Sequence, residues 1–324
     1  MKKVTKYLLD NTAIIGLIFI IIVGALANPA FLRIENISNL LRSASLVGII
    51  AVGMTFVILC GSIDLSVGSV FALAGYFFIK FGQTSPVLAL LVPLVIGFLL
   101  GSLNGVLVTK MRIPAFIGTL ATMMFARSLV LIFSKEVTTT ARNLPSFLKL
   151  IGRGKVFGII PMPFVILVIL VLISSYLLAK FPFGRALYIV GGNMDAATMM
   201  GVSVQKTLFS AHVISSVLAA FGGIVFASRV GSAQPLAGTG YEMYAIASVV
   251  IGGAQLSGGV GKISGSFLGA IIMGSFTNIF SMQHLMNAVW QNAVIGLILL
   301  AIIILQSTFL NSLFNKNIVR GKSE

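Results

Sequence analysis

Apolar runs of membrane-crossing length, separated by short polar stretches, repeat along the whole chain. Ala13 to Val23, Phe164 to Leu178 and Ala293 to Leu305 contain no charged residue. With flanking small residues such runs reach the ~20 residues that cross about 30 Å of hydrocarbon. The pattern predicts ten membrane segments, roughly 12–31, 42–60, 64–81, 86–108, 114–134, 159–179, 207–229, 241–256, 264–282 and 289–311. The second and eighth are short or interrupted by glycine, which makes them the candidates for broken or re-entrant helices.

Glycine spacing adds a second pattern. Gly97, Gly101 and Gly105 recur every fourth residue on the fourth segment, and Gly261, Gly265 and Gly269 do so entering the ninth. Small residues at this spacing let helices approach closely. Segments four and nine would be equivalent in a five-plus-five duplication, inverted because five crossings is an odd number. Two unrelated packing faces would give the same spacing.

Composition agrees with the pattern. Hydrophobic residues make up 58% of the 324 residues, charged residues 9%, and the mean hydropathy is +1.08. A soluble domain carries about 25% charged residues. The net charge of +15 does not indicate nucleic acid, because Lys and Arg stand singly or in small groups between apolar segments. In a membrane protein they are topology signals. With the N-terminus inside, 12 basic residues fall inside and 9 outside, with both termini cytoplasmic. The inner set is Lys2, Lys3, Lys6, Lys110, Arg112, Lys180, Arg185, Lys206, Lys262, Lys316, Arg320 and Lys322. Five of the outer nine lie in one loop, 135–158. The first apolar run lacks a clean small-residue cleavage site, so it is expected to be retained as a helix. Cys60, the single cysteine, lies in an apolar stretch and is expected to pack there.

Two stretches imitate nucleotide-binding motifs. Leu256-Ser257-Gly258-Gly259 resembles the signature of transporter ATPases, and Gly261-Lys262 suggests a phosphate loop. That loop needs a Gly five residues before the Gly-Lys and a Ser or Thr after it. Leu256 and Ile263 hold those positions, and the segment has no room for a nucleotide fold. Any ATP-derived energy must come from another chain. The two histidines, His212 and His284, lie on different segments and near no Ser, Cys or carboxylate in sequence. No metal-ligand cluster, cofactor site or enzymatic constellation is expected.

Three polar constellations remain. In CGSIDLSVGS, residues 60–69, Asp64 is expected to cap the third segment, with its carboxylate accepting N–H groups three residues on. Ser66, Gly61 and Gly68 mark turns there that suit gating or a partner contact. In AGTGYEMYAIASVVIGG, residues 237–253, Thr239 and Glu242 have capping-box spacing. Glu242 also stands near the outer face, where it could meet an extracytoplasmic partner. In FGRALYIVGGNMDAATMMGVSVQK, residues 183–206, Asn193 can cap a short helix whose first turn holds Asp195. Gly201 suits its C′ position, and the small Ala196 and Ala197 suit insertion into a groove of another protein.

These stretches resemble the permeases of bacterial ABC importers for ribose, xylose, arabinose and galactosides. The resemblance runs from about Asn36 to Leu305 and is carried by GIIAVGMTFVILCGSIDLSVGS at 48–69, IPAFIGTLATM at 113–123, FGRALYIVGGNMDAATMMGV at 183–202 and GTGYEMYAIASVVIGGAQLSGGVGKISG at 238–265. It implies an all-α polytopic protein of the bacterial cytoplasmic membrane, one transmembrane permease domain over 1–324, paired with a second copy or a paralogue. It also implies a cytoplasmic ATPase docked on the segment holding Gly184, Arg185, Gly191, Gly192, Asn193, Asp195, Ala196, Ala197 and Gly201. An extracytoplasmic binding protein would deliver a monosaccharide, a ribose-like sugar first, although no motif names the sugar.

The chain departs from the family pattern at three points. Gly61-Ser62 replaces Gly-Gly before Ile-Asp-Leu-Ser, and Met194-Asp195-Ala196-Ala197-Thr198 replaces Glu-Glu-Ala-Ala-Arg. Tyr244 replaces the Asp of Glu-Leu-Asp-Ala. The second change removes an acid and a base from any salt-bridge docking of the ATPase. Such drift suits one half of a heterodimer.

A sugar path calls for neutral polar groups within the membrane, and Asn104, Thr119, Thr122, Ser275 and Asn278 qualify. Hydrogen bonding between helices would use the same residues. Arg127, a charge within a segment, must face protein, water or carbonyls. The alternative reading is an ion-gradient-driven transporter of a small polar solute, which predicts midplane ionisable groups on broken helices. Arg127 alone fits that prediction, since the acids fall near segment ends.

Overall fold

The computed structural model describes residues 12–141 and 143–283, and beyond them 290, 293–297, 300, 301 and 304. The tenth predicted segment, His284, Arg142 and the terminal Lys and Arg residues fall outside the described residues, wholly or mostly. The chain folds as helices joined by short loops, a polytopic membrane architecture. Six described helices are long and apolar enough to span: α2 (Ile34–Leu59), α4 (Pro86–Thr109), α5 (Ala115–Ser134), α7 (Met162–Lys180), α10 (Val204–Val230) and α12 (Ile263–Gln283). Three shorter apolar helices, α1 (Thr12–Ala27), α3 (Val67–Gly82) and α11 (Tyr241–Ile251), occupy the first, third and eighth predicted segments.

The second segment is not broken. α2 runs unbroken for 26 residues, and from Ala44 to Leu59 every residue is buried. Its glycines suggest a break in sequence, but they are packing sites: a Cβ on Gly53 would lie 3.0 Å from the Ser215 Cα of α10. The irregular backbone follows α2 instead, in the turn-rich stretch 60–66. The eighth segment is short as expected, and α11 begins after an irregular stretch, 234–240.

α2 and α10 form the centre of the bundle. Of the most apolar stretch of α2, 83% is buried, against 61% in α10 and 22% in α7. A helix buried on all sides tolerates apolar residues on every face, whereas α4, α5 and α7 turn Leu, Ile and Phe outward, as lipid-facing helices do. Both glycine stripes are close-packing faces. Gly97 and Gly101 of α4 meet Ser216, Val217 and Val213 of α10, while Gly265 and Gly269 of α12 meet Gly252 and Ser248 at the end of α11.

The packing order has an internal correspondence. α4 lies on α10 and α3, while α12 lies on α2 and α11; α3 lies on α10, while α11 lies on α2. Exchanging α2, α3 and α4 with α10, α11 and α12 leaves this set of contacts unchanged. The outer helices α1 and α7 do not follow it: α1 packs on α12, and α7 mainly on α2.

One end of the bundle carries α6 (Ser146–Arg153), the β2–β3 hairpin (Lys155–Val156 and Ile160–Pro161), and β1 (Thr139–Thr140) paired antiparallel with β4 (Ser232–Ala233). Here Arg153 donates to the carbonyls of Arg229 and Val230, closing the last turn of α10. The opposite end carries α8 (Pro182–Gly192) and α9 (Met194–Met199). This division of loops matches the alternating sides read from the sequence. The charge bias that orients them rests on the termini, outside the described residues.

Candidate functional site

The α8–α9 end is built on glycine contacts. A Cβ on Gly191 would overlap the carbonyl oxygen of Leu59 and come 2.5 Å from the Gly259 nitrogen, and one on Gly258 would come 2.9 Å from the Gly191 Cα. Gly259 N–H donates to Leu59 O at 3.0 Å, and Tyr188 Oη donates to Gly261 O at 2.9 Å. The Leu256–Gly261 stretch that imitates an ATPase signature is thus the seat on which α8 rests. α9 projects beyond it. Asn193 Oδ1 accepts from Ala196 N–H at 2.9 Å and caps its start. Its end is a Schellman closure: Gly201 N–H donates to Thr198 O, Val202 N–H donates to Ala197 O, and Gly201 has φ 77°. Ala197 is buried beneath the helix, while Asn193, Asp195 and Ala196 are exposed and Met199 is 89% exposed.

The stretch 60–66 holds a sealed polar cluster. Asp64 is 0% exposed. One carboxylate oxygen accepts from Ser66 N–H at 3.0 Å, Ser66 Oγ at 2.6 Å and Asn104 Nδ2 at 3.3 Å, and the other accepts from Ser216 Oγ at 3.4 Å. Asp64 therefore does not cap three residues on; it closes a turn two residues on, and Ser66 stands at the N-cap of α3. His212 of α10, one turn before Ser216, meets Ser62 Oγ through Nε2 at 3.0 Å. The sequence separates these groups by about 150 residues, so no local spacing announces the cluster. Asp64 lies near the start of α3, as expected, but it is fully buried there.

An interior charge pair lies where α3, α5 and the 234–240 stretch meet. Arg127 Nη1 donates to the carbonyls of Pro235 at 2.7 Å and Ala237 at 2.9 Å, and Nη2 donates to Gly68 O at 3.4 Å. This is the carbonyl cluster that an intramembrane arginine requires. Glu242 sits in the first turn of α11, electrostatically attracted to Arg127, with its carboxylate against the backbone N–H groups of Gly240 and Glu242. The expected Thr239–Glu242 capping box does not form. Gly240, at φ 84°, holds the N-cap position, and Thr239 Oγ1 turns back to Leu236 O at 2.8 Å. Gly68 makes the junction possible: a Cβ there would overlap the Gly238 carbonyl and lie 2.6 Å from Glu242 Oε2. A cavity of about 360 Å³ opens beside this pair.

The neutral path candidates are all engaged within the protein. Asn104 Nδ2 also donates to Ser66 Oγ at 2.9 Å. Thr119, Thr122 and Ser275 each donate to the carbonyl four residues back on their own helix, and Asn278 exchanges side-chain hydrogen bonds with Asn36. The cavity is lined by Arg127 and Glu242, by the hydroxyl residues Ser69, Ser128 and Thr239, and by Met123, Met124 and Leu236.

Residues 36–303 match the family described as branched-chain amino acid transport system / permease component. Among curated relatives, the ribose import permease protein RbsC of Haemophilus influenzae is 38% identical over 305 residues, covering 93% of this chain and 94% of its own. RbsC of Bacillus subtilis is 40% identical over 293 residues, covering 90% of each chain. The autoinducer 2 import system permease protein LsrC of an Enterobacter species is 36% identical over 306 residues, covering 93% and 88%. No solved structure matches the chain. The apolar helix bundle is that of a multi-pass membrane protein. This chain belongs to the permease-component family of ABC transport systems.

Proposed function

We propose that the protein is the membrane-spanning permease of an ATP-driven importer for a monosaccharide, a ribose-like sugar first. The similarity to two ribose import permeases along nearly the whole chain is the observation that carries this reading. ATP is hydrolysed by a separate cytoplasmic ATPase, and a binding protein delivers the sugar from the outer side of the bacterial inner membrane. The permease works with a second copy or a paralogue.

The ATPase docks on residues 183–206, where α9 presents Asn193, Asp195 and Ala196 on a firmly seated support. Exposed Met194, Met199 and Met200 beside them suit an apolar groove, since methionine adapts its shape at interfaces. Hydrophobic contact replaces the acid and base that the family pattern carries here. The binding protein meets the opposite end, where the β2–β3 hairpin lifts Phe157 into solvent at 91% exposure. An ordered loop with an apolar tip is an ordinary anchor for a partner.

The bundle arises from a five-plus-five inverted repeat. The interchange of α2, α3 and α4 with α10, α11 and α12 supports it. Such repeats rock against each other during alternating access. Omitting one component at a time tests the function. Proteoliposomes holding permease and ATPase, with ATP enclosed and binding protein outside, should accumulate labelled ribose. Uptake that persists without the ATPase would reject the proposal.

A further inference from the structure

We infer that the cavity beside Arg127 and Glu242 is a water-facing subsite of the transport path that holds the hydroxyl groups of a neutral polyol. The inference rests on the proposed transport function and adds a place and a set of contacts to it. Ser69 of α3, Arg127 and Ser128 of α5, Thr239 of the 234–240 stretch and Glu242 of α11 converge on one space, with Met124 among its apolar residues. Its volume of about 360 Å³ lies within the range of roughly 300–1,000 Å³ common for small-molecule sites.

The chemistry of the lining selects the ligand. Arg127 uses three of its five N–H donors on carbonyls, which fixes the guanidinium plane and leaves two donors. Glu242 supplies acceptors whose charge is balanced by Arg127 and by backbone N–H groups, so the site gains no net charge from the pair. A fixed donor beside a fixed acceptor matches the adjacent hydroxyls of a sugar, each of which donates and accepts. Three further hydroxyls extend the same pattern, and Met123 and Met124 offer a surface for the ring carbons.

Location explains why the cavity faces water. Arg127 lies seven residues before the end of α5, about 10 Å along the helix axis. Ser128 and Thr239 are exposed and line the cavity together with the partly buried charged pair. Hydrocarbon against such a pair is unfavourable, so the open side meets the aqueous path. Gly68 belongs to the same construction, because a side chain there would displace Glu242 from the cavity wall.

Two measurements on the full-length protein test the inference. Cys60, the only cysteine, is fully buried and hydrogen-bonded to Phe56 O, so Ser128→Cys introduces one reactive thiol. In liposomes, S128C should react with a charged methanethiosulfonate at least about tenfold faster than Leu172→Cys, on the exposed face of α7. Equal, slow reaction at both would show that the cavity faces lipid and overturn the inference. In the reconstituted importer, Ser128→Trp and Glu242→Gln should each lower ribose uptake about tenfold or more. ATP hydrolysis stimulated by the loaded binding protein should persist, which separates a blocked site from an unfolded one. Wild-type uptake with both variants equally active would refute the subsite, whereas failure of the wild type to transport would refute the proposed function instead.

Discussion

The two irregular stretches, 60–66 and 234–240, occupy corresponding places after the two central helices, yet they treat a carboxylate in opposite ways. Asp64 is sealed, with both oxygens hydrogen-bonded by Ser66, Asn104 and Ser216. Glu242 is only partly buried and borders a cavity, with Arg127 nearby. The first junction is a latch that ties 60–66 to α4 and α10. The second keeps polar groups available to a solute. One scaffold therefore supplies a rigid joint and an open site, and burial decides which is which.

Substitutions at the two junctions should separate these roles. Asp64→Ala removes the acceptor shared by three buried side chains, and should lower stability by about 3 kcal/mol or more, read as thermal unfolding in lipid nanodiscs. Glu242→Gln should leave that unfolding nearly unchanged while it impairs uptake. If both variants unfold alike, the contrast between latch and site collapses. Gly68→Val should come next, at about 2 kcal/mol, because a side chain overlaps the Gly238 carbonyl and displaces Glu242. Both unfolding and uptake should suffer, since this residue belongs to both roles.

Smaller effects sharpen the assignment. Asn193→Ala removes the cap of α9 and should cost about 1 kcal/mol locally. Its readout is weaker stimulation of ATP hydrolysis, with binding-protein contact unaltered. Thr122→Val should change little, about 0.6 kcal/mol or less, because its hydroxyl serves only the Gly118 carbonyl on its own helix. A large loss of uptake by a well-folded T122V protein would return the path to the inner face of α5.

The fold was legible where one helix carries its own signal. Apolar length located nine helices among the described residues, and the cap of α9 followed from Asn193 and Gly201 because capping is local chemistry. Glycine spacing marked the close-packing faces of α4 and α12, though not their partners. Sites assembled from distant segments were less legible. His212 and Ser62, or Arg127 and Pro235, meet only through packing of helices far apart in sequence. Motif spacing misled at Thr239 and Glu242, because Gly240 takes the left-handed N-cap position and turns Thr239 away. The expectation that Arg127 faces carbonyls was met at Pro235 and Ala237, but which carbonyls it meets could not be read from its own segment.

Interior Asp64, His212, Arg127 and Glu242 are also the kind of groups that an ion-coupled carrier would use, so the energy source is the central question. Labelled ribose uptake into proteoliposomes containing permease and ATPase, with binding protein outside, answers it directly. The account predicts accumulation with enclosed ATP and no imposed gradient, and none with a proton or sodium gradient but no ATP. Accumulation driven by the gradient alone would contradict it.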